Sequence, residues 1–455
     1  MAVTAMVAIS FGQQATSAEL TFETPREQAI AIDAPSTTGL EKVYVLATAE
    51  GVRAKFTADS PAAAMTVRWK RFGMLGGGYA EDVASSVSGR ESYIDLSAII
   101  SESGMGYIVE SAGRQYCFWI VNYAAQPCTL GNLTIDREQS ECDRTALHFE
   151  GSAPRIIYYS INGVGQTLSR QMEVTYNSLV FNEEAQLWEQ TAITESLDYA
   201  DETVRVPAAL CQTEYTLHND RFQRQWGHDA EVSTQSEMPK TIGVRTSAKQ
   251  TSRSNDNEQR EEGSVLGGSG PVEITFTAEV TDAVIFREWQ FATDREFDII
   301  DLRIQENEVR HTFRDYGHTY VRFVAGNDDN TCTYYSEVYE VYIGESRLLC
   351  PNAFSPYGSE GVNDEWKVSY KSIIDFDCHI FNRWGQEMIH LTDPSQGWDG
   401  RYKGKLVPAG VYYYVIRATG TDGQEYKLSG DINILKYEDK RGYSNNPVTP
   451  AKANL

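Results

Sequence analysis

The sequence predicts an all-β chain built from several sandwich modules, and three observations carry that expectation. Apolar residues recur at every second position in short runs, as in Ile274-Thr275-Phe276-Thr277-Ala278 and Ile432-Asn433-Ile434, the period of a strand with one buried face. Between the runs stand clusters that turn the chain, such as Asn162-Gly163 and Thr421-Asp422-Gly423, where Gly supplies the φ > 0 positions of tight hairpins. The aromatic residues lean to tyrosine, 26 Tyr against 17 Phe and 8 Trp, a bias that suits pleated, half-buried surfaces better than helices.

Length sets the number of modules. At 455 residues, all-β units of roughly 100 residues give about four domains, and an apolar fraction of 41% can fill several cores. The formal charge of −24 argues against a nucleic-acid partner, because phosphate binding needs clustered Lys and Arg. It also sets the chain against anionic lipid. No run of eighteen apolar residues occurs, so the sequence predicts no direct membrane span.

Residues 1–18 contain an apolar run at 2–9, too short to span a bilayer, then Ser10, Gly12 and Gln13. This reads as a signal-peptide remnant, with cleavage after Gly12 or Ala18 compatible. No basic segment precedes it, so either the start is misassigned or the run is a strand-like leader.

Residues 41–138 read as a first sandwich, with strands at 43–46, 65–72 and 116–122. Gly76-Gly77-Gly78 lacks both a following helical pattern and a Gly-Lys-Ser/Thr, so a flexible hairpin tip is expected there rather than a phosphate loop. A second module is expected at 142–227, with strands at 155–159, 173–176, 204–207 and 214–217. Residues 228–270 are dominated by Ser, Thr, Gln, Asn and Glu and read as a polar flexible linker or excursion. The third module, 271–346, carries a Trp289-Gln290-Phe291 strand, His311-Thr312-Phe313, Gly317 and a run at 320–325. Trp69 with residues 116–118, and Trp289 with residues 320–323, repeat one plan in which a core Trp faces a late Tyr-bearing strand.

The densest stretch is 348–437. It reads Pro351-Asn352-Ala353-Phe354-Ser355-Pro356, then Ile380-Phe381-Asn382-Arg383-Trp384-Gly385, Gly397-Trp398-Asp399-Gly400 and Pro408-Ala409-Gly410-Val411-Tyr412. Those blocks, in that order, resemble the gliding-motility-associated C-terminal domain family, the type B sorting domain of the type IX secretion system in Bacteroidetes. The family's opening block continues as Asn-Gly-Asp-Gly-x-Asn-Asp and an aromatic. Here residues 357–366 keep Gly361, Asn363, Asp364 and Trp366, carry one extra residue, and lack the central Asp on which a cation site would rest. The third module resembles a PKD-type immunoglobulin-like domain, with Ala292-Thr293-Asp294 in place of the usual Gly-Asp-Gly. The fold class expected is therefore tandem immunoglobulin-like (PKD-type) β-sandwich modules followed by a C-terminal antiparallel β-sandwich sorting domain. Residues 438–455 have no apolar pattern and are expected to be disordered when alone.

Seven cysteines cannot all pair within one monomer, and no Cys-x-x-Cys is present. Cys117 with Cys128, across a hairpin, and Cys142 with Cys211 are the expected disulfides. Cys378, in an alternating run, is the expected free and buried thiol. No His-Glu-x-x-His or Gly-x-Ser-x-Gly occurs, and with 64 acidic residues chance carboxylate pairs identify nothing. No catalytic group, metal site or cofactor is predicted. His311 is expected to cap a turn by hydrogen bonding and Asp399 to bond its own turn.

The resemblance implies a non-enzymatic, exported surface or outer-membrane-associated protein. Its C-terminal domain would dock on the type IX secretion machinery or on an outer-membrane β-barrel of the PorP/SprF kind. Asn382, Arg383, Trp384, Gly385, Trp398 and Tyr412 are the expected partner-binding residues, since Arg and Trp are enriched in interface hot spots. The alternative is a cell-surface adhesin binding glycan or host protein through its upstream sandwiches, which an exposed aromatic cluster on those modules would favour and full burial of Trp69 and Trp289 would disfavour. A hydrolase is the third class and requires a cleft with convergent titratable groups.

Overall fold

The computed structural model describes residues 20–259, 266–356, 361 and 363–435; the expected signal remnant and C-terminal tail lie outside them. The chain forms two compact units. One holds the described residues up to Val180 with Glu189–Thr241, the other Phe181–Trp188 with the chain from Ile242 onward.

The first unit begins with a sandwich of a four-stranded and a six-stranded sheet among the described residues. Arg114–Asn122 lies inside the larger sheet, antiparallel to Gly104–Ser111 and parallel to Lys42–Leu46. Its sequence is apolar without a break from Tyr116 to Val121, and the packing says why. Phe118 and Ile120 join Tyr44, Trp69 and Phe56 in the core between the two sheets. Cys117, Trp119 and Val121 face the other way, into a core shared with Leu133, Phe149 and Ile156 of the second module. A strand covered on both faces loses the polar alternation that an exposed face imposes. The sandwich also starts earlier than the expected residue 41, with strands Leu20–Glu23 and Ile30–Asp33.

Gly76-Gly77-Gly78 is not a flexible tip. Gly77 donates to the Ile161 carbonyl at 2.7 Å. Gly76 sits at φ 80°, where a Cβ would come within 2.7 Å of both the Ile161 carbonyl oxygen and the Gly163 amide nitrogen. Glycine is needed there because the second module's 161–163 turn presses directly on the backbone.

The second module pairs Leu133–Asp136, Arg144–Phe149 and Thr203–Pro207 in one sheet. The opposing sheet contains Met172–Asn182, Thr216–His218 and Glu231–Ser233. A guanidinium is buried within this unit. Arg170 is fully enclosed; its Nη1 meets the Asp220 carboxylate, its Nε donates to the Pro154 carbonyl at 2.7 Å and its Nη2 to the Gln126 carbonyl. Asp220 also accepts from the Tyr123 hydroxyl at 2.9 Å and the Gln223 amide at 3.1 Å, so both buried charges are hydrogen-bonded on several sides.

The expected Cys117–Cys128 disulfide does not form, and both side chains are buried free thiols. No hairpin separates them. The chain runs straight from Cys117 to Asn122, and at about 3.3 Å per residue that carries it roughly 16 Å away before it turns. Cys142 is disulfide-bonded, but not to Cys211, whose thiol instead reaches the Asn177 carbonyl at 3.6 Å.

In the second unit the third sandwich packs Trp289 between Phe276 and Phe323, with ring centroids 5.4 and 4.9 Å away. His311 lies on the strand Glu308–Phe313 and caps no turn. Its ring packs against Phe313 at 4.7 Å and Phe291 at 4.9 Å, and burial holds its pKa below the ordinary value.

The polar stretch 228–270 is not a linker where it is described. Glu231–Ser233 completes a sheet of the second module, and Val244–Gln250 pairs with Val272–Val280 throughout its length. Asn257 and Gln259 then hydrogen-bond along the backbone of Tyr370. These strands lie at sheet edges, where backbone bonds are satisfied on one side while the side chains stay in water. Their composition therefore imitates that of a disordered segment.

The C-terminal domain is a five-stranded sheet of Ala353–Phe354, Glu425–Ile434, Gly410–Gly420, Ile373–Phe381 and Glu387–Leu391, in that order. One face packs on Trp366, Trp398 and Val407, with the sheet's own Phe354 in that core and Cys378 fully buried there as a free thiol.

Candidate docking surface of the C-terminal domain

Strand Ile373–Phe381 ends in the 382–385 turn before Glu387–Leu391 returns beside it. The Asn382 side chain accepts from the amides of Trp384 at 3.0 Å and Gln386 at 3.1 Å, and its backbone carbonyl accepts from Gly385 at 3.0 Å. Gly385 takes φ 78°, which glycine adopts without strain. Asn382 and Gly385 thus spend their bonding on the turn itself. Arg383 and Trp384 are left outside: the indole is 74% exposed, and the Arg383 guanidinium carbon sits 4.2 Å from its ring centroid.

Two expected contact residues fall elsewhere. Trp398 is fully buried and Tyr412 nearly so. Their rings meet edge-on at 5.2 Å, Phe354 covers Trp398 at 5.6 Å, and the polar atoms are satisfied internally by Arg401 and Pro408 carbonyls. Neither can touch a partner in the folded chain. Asp399 bonds its own turn as expected, accepting from the Arg401 amide at 3.0 Å.

The structure adds residues that sequence reading did not single out. Val411, Tyr413 and Val415 alternate along Gly410–Gly420 and are each more than two-fifths exposed on the face opposite the core. Tyr413 stands opposite Phe381 in the register, one residue before the turn that carries Trp384. A signal was available: the unbroken apolar run from Val411 to Ile416 puts large residues on both faces, although this sheet's outer face is open. Burial keeps the Tyr412 hydroxyl protonated beyond its usual range, in keeping with a core position. Among the described residues, Asp377, His379 and His390 form a group close enough to share a metal ion.

Residues 348–434 match the CHU_C type IX secretion signal domain family, and residues 134–234 match a fibronectin type III domain family. No curated protein matches the chain. Among solved structures, it is similar to a tetra-tandem repeat in the extending region of a large adhesion protein, at 11% identity and TM-score 0.22, covering 86% of this chain and 99% of that one. It is also similar to the N-terminal four immunoglobulin domains of Dscam1 isoform 7.44, at 9% identity and TM-score 0.22, covering 92% and 100%. A third likeness is to three N-terminal domains of the bacteriophage RB49 highly immunogenic outer capsid protein, at 8% identity and TM-score 0.21, covering 67% and 99%. At such scores none carries a functional inference. The family matches carry more: immunoglobulin-like sandwiches are followed by a type IX secretion signal domain, which marks the chain as exported cargo of that system. Among the described residues, no helix is long and apolar enough to cross a membrane.

Proposed function

We propose that the protein is a non-enzymatic surface or outer-membrane-associated cargo whose C-terminal domain docks on an outer-membrane β-barrel of the PorP/SprF kind. The observation that carries this reading is the 382–385 turn, where an exposed Trp384 is held beneath Arg383 by hydrogen bonds that involve neither side chain. An aromatic anchor carried on a turn whose backbone is already fixed loses less conformational entropy on binding than one on a loose loop. Phe381, Tyr413 and the outward Val411 and Val415 extend the apolar area beside it. The upstream sandwiches, including the PKD-like third one, act as a rod or platform.

The adhesin alternative loses its expected stacking residues, because Trp69 and Trp289 are both within the cores. The test is a pull-down of solubilised outer-membrane proteins with the full chain and with the Arg383→Glu/Trp384→Ser double variant. Recovery of a barrel protein by the parent chain, and its loss with the variant, supports the reading. Recovery of no barrel, or equal recovery by both chains, overturns it.

A further inference from the structure

The outer face of the C-terminal sheet carries a second cluster, distinct from the Arg383–Trp384 turn. Asp377 and His379 are two residues apart on Ile373–Phe381 and therefore share a face. His390 stands directly opposite His379 in the antiparallel register with Glu387–Leu391. The two imidazoles stack with centroids 4.1 Å apart and planes 6° from parallel. Both rings aim Nε2 at the same carboxylate: His390 Nε2 lies 2.5 Å from Asp377 Oδ1, and His379 Nε2 lies 3.5 Å from Oδ2.

Behind this trio, His379 Nδ1 is 2.8 Å from Glu387 Oε2. A carboxylate there draws the imidazole proton to Nδ1, which leaves the Nε2 lone pair pointing at Asp377. An acceptor then faces an acceptor. A divalent cation seated between the three side chains would take up that lone pair and the carboxylate together.

We propose that Asp377, His379 and His390 form a surface site for a divalent transition-metal ion of the zinc type, with Glu387 orienting His379. Zinc takes imidazole nitrogen and carboxylate oxygen at about 2.0–2.2 Å, which in a tetrahedron sets neighbouring ligand atoms roughly 3.4 Å apart. The separations of 2.5 and 3.5 Å bracket that spacing, and turning the two rings out of their parallel stack would bring both Nε2 lone pairs onto one ion. Two nitrogen ligands and one oxygen suit zinc-like ions better than calcium or magnesium, which prefer all-oxygen shells. All three side chains are partly exposed, so ions can enter and water can complete the shell. The ion would cross-link the edge strand to its neighbour.

The test is calorimetric titration of Zn²⁺ into the full chain after chelator treatment, with Mg²⁺ and Ca²⁺ as comparisons, and with circular dichroism confirming that each variant is folded. One equivalent of Zn²⁺ is expected in the parent chain, with no matching Mg²⁺ or Ca²⁺ event. His390→Ala and Asp377→Asn should each abolish it. Glu387→Gln should retain the stoichiometry while weakening affinity roughly 10- to 100-fold, the usual cost of removing a ligand's hydrogen-bond partner. Absence of a Zn²⁺ equivalent in the parent, or its survival in both His390→Ala and Asp377→Asn, overturns the proposal. The Zn²⁺ equivalent is read without any barrel protein present, so its failure and the failure of barrel recovery in the pull-down are separate results.

Discussion

Trp366 and Trp398 face each other across an antiparallel bridge, each backbone amide donating to the other's carbonyl, at 2.9 and 3.0 Å, and both indoles are fully buried. Trp366 Nε1 also donates to the Pro351 carbonyl at 2.7 Å, tying the start of the domain to its centre. Trp398→Ala should therefore cost about 3–5 kcal/mol, the usual range for emptying a core aromatic site. Trp384→Ala should change stability by no more than about 0.5 kcal/mol. Calorimetric melting of the full chain separates the two; equal effects would show that the burial contrast does not govern the domain's stability.

Asn257 is the clamp of the polar segment that sequence reading took for a linker. Its Nδ2 donates to the Val368 and Pro394 carbonyls, both at 2.7 Å, while Gln259 donates to the Tyr370 carbonyl at 2.7 Å. Asn257→Ala leaves acceptors without their donor, at about 1–3 kcal/mol locally. Amide hydrogen exchange should quicken at Gln259 and Tyr370 in this variant. Unchanged protection there would mean that the segment is held by something else.

In the first unit, Arg170→Met strands the Asp220 carboxylate in the interior. Breaking one side of a buried pair typically costs about 3–5 kcal/mol, because the remaining charge has no replacement partner. Asp220→Asn should cost less, since the amide oxygen still accepts from Tyr123 and the Arg170 guanidinium keeps the Pro154 and Gln126 carbonyls. Thermal denaturation of the two variants gives the order; the reverse order would count against the charge argument.

The Ser346–Asp422 contact carries a pH signature. Burial opposes charge at Asp422, but the Ser346 hydroxyl and amide and the Gln424 amide outweigh it and hold the carboxyl below the usual range. A carboxylate whose folded pKa is depressed stabilises the fold fully above its unfolded value, about 3.9, and loses that contribution as pH falls through the folded value. Asp422→Asn should thus be less stable than the parent at pH 7, with the gap closing below about pH 4. A gap that widens in acid would refute this assignment.

Thiol chemistry gives a further check. Burial pushes Cys117 and Cys128 up to about 11 and Cys378 up to about 12. At pH 8 only about one Cys378 in ten thousand is thiolate, the form that reacts. Iodoacetamide should leave all three unmodified in the native chain and label them in guanidinium. Native labelling of Cys378 at the rate of an exposed cysteine would contradict its place in the core.

The strands around Ile274, Ile432 and the 411–416 run were legible because a two-residue period survives wherever one face is buried and the other wet. The turn at 382–385 was legible for a similar local reason: Asn and Gly carry their turn chemistry in their own side chain and backbone. Trp398 and Tyr412 were misassigned because a turn motif rich in aromatics looks the same whether the rings point in or out. The polar strand 244–250 was hidden because edge position removes the apolar half of the pattern. The Cys117 pairing failed because a hairpin was assumed where the chain runs straight.

By itself, then, the sequence determined a chain of β-sandwich modules, since side-chain period and turn residues act between near neighbours; the secretion-signal domain was legible through the family resemblance of the blocks between Pro351 and Tyr412. Only the tertiary structure decided that Trp119 and Phe118 serve different cores, that Trp384 faces solvent while Trp398 does not, and that His390 stands over His379. Those facts depend on which strand lies opposite which, and strand pairing joins residues whose separation along the chain leaves no local trace.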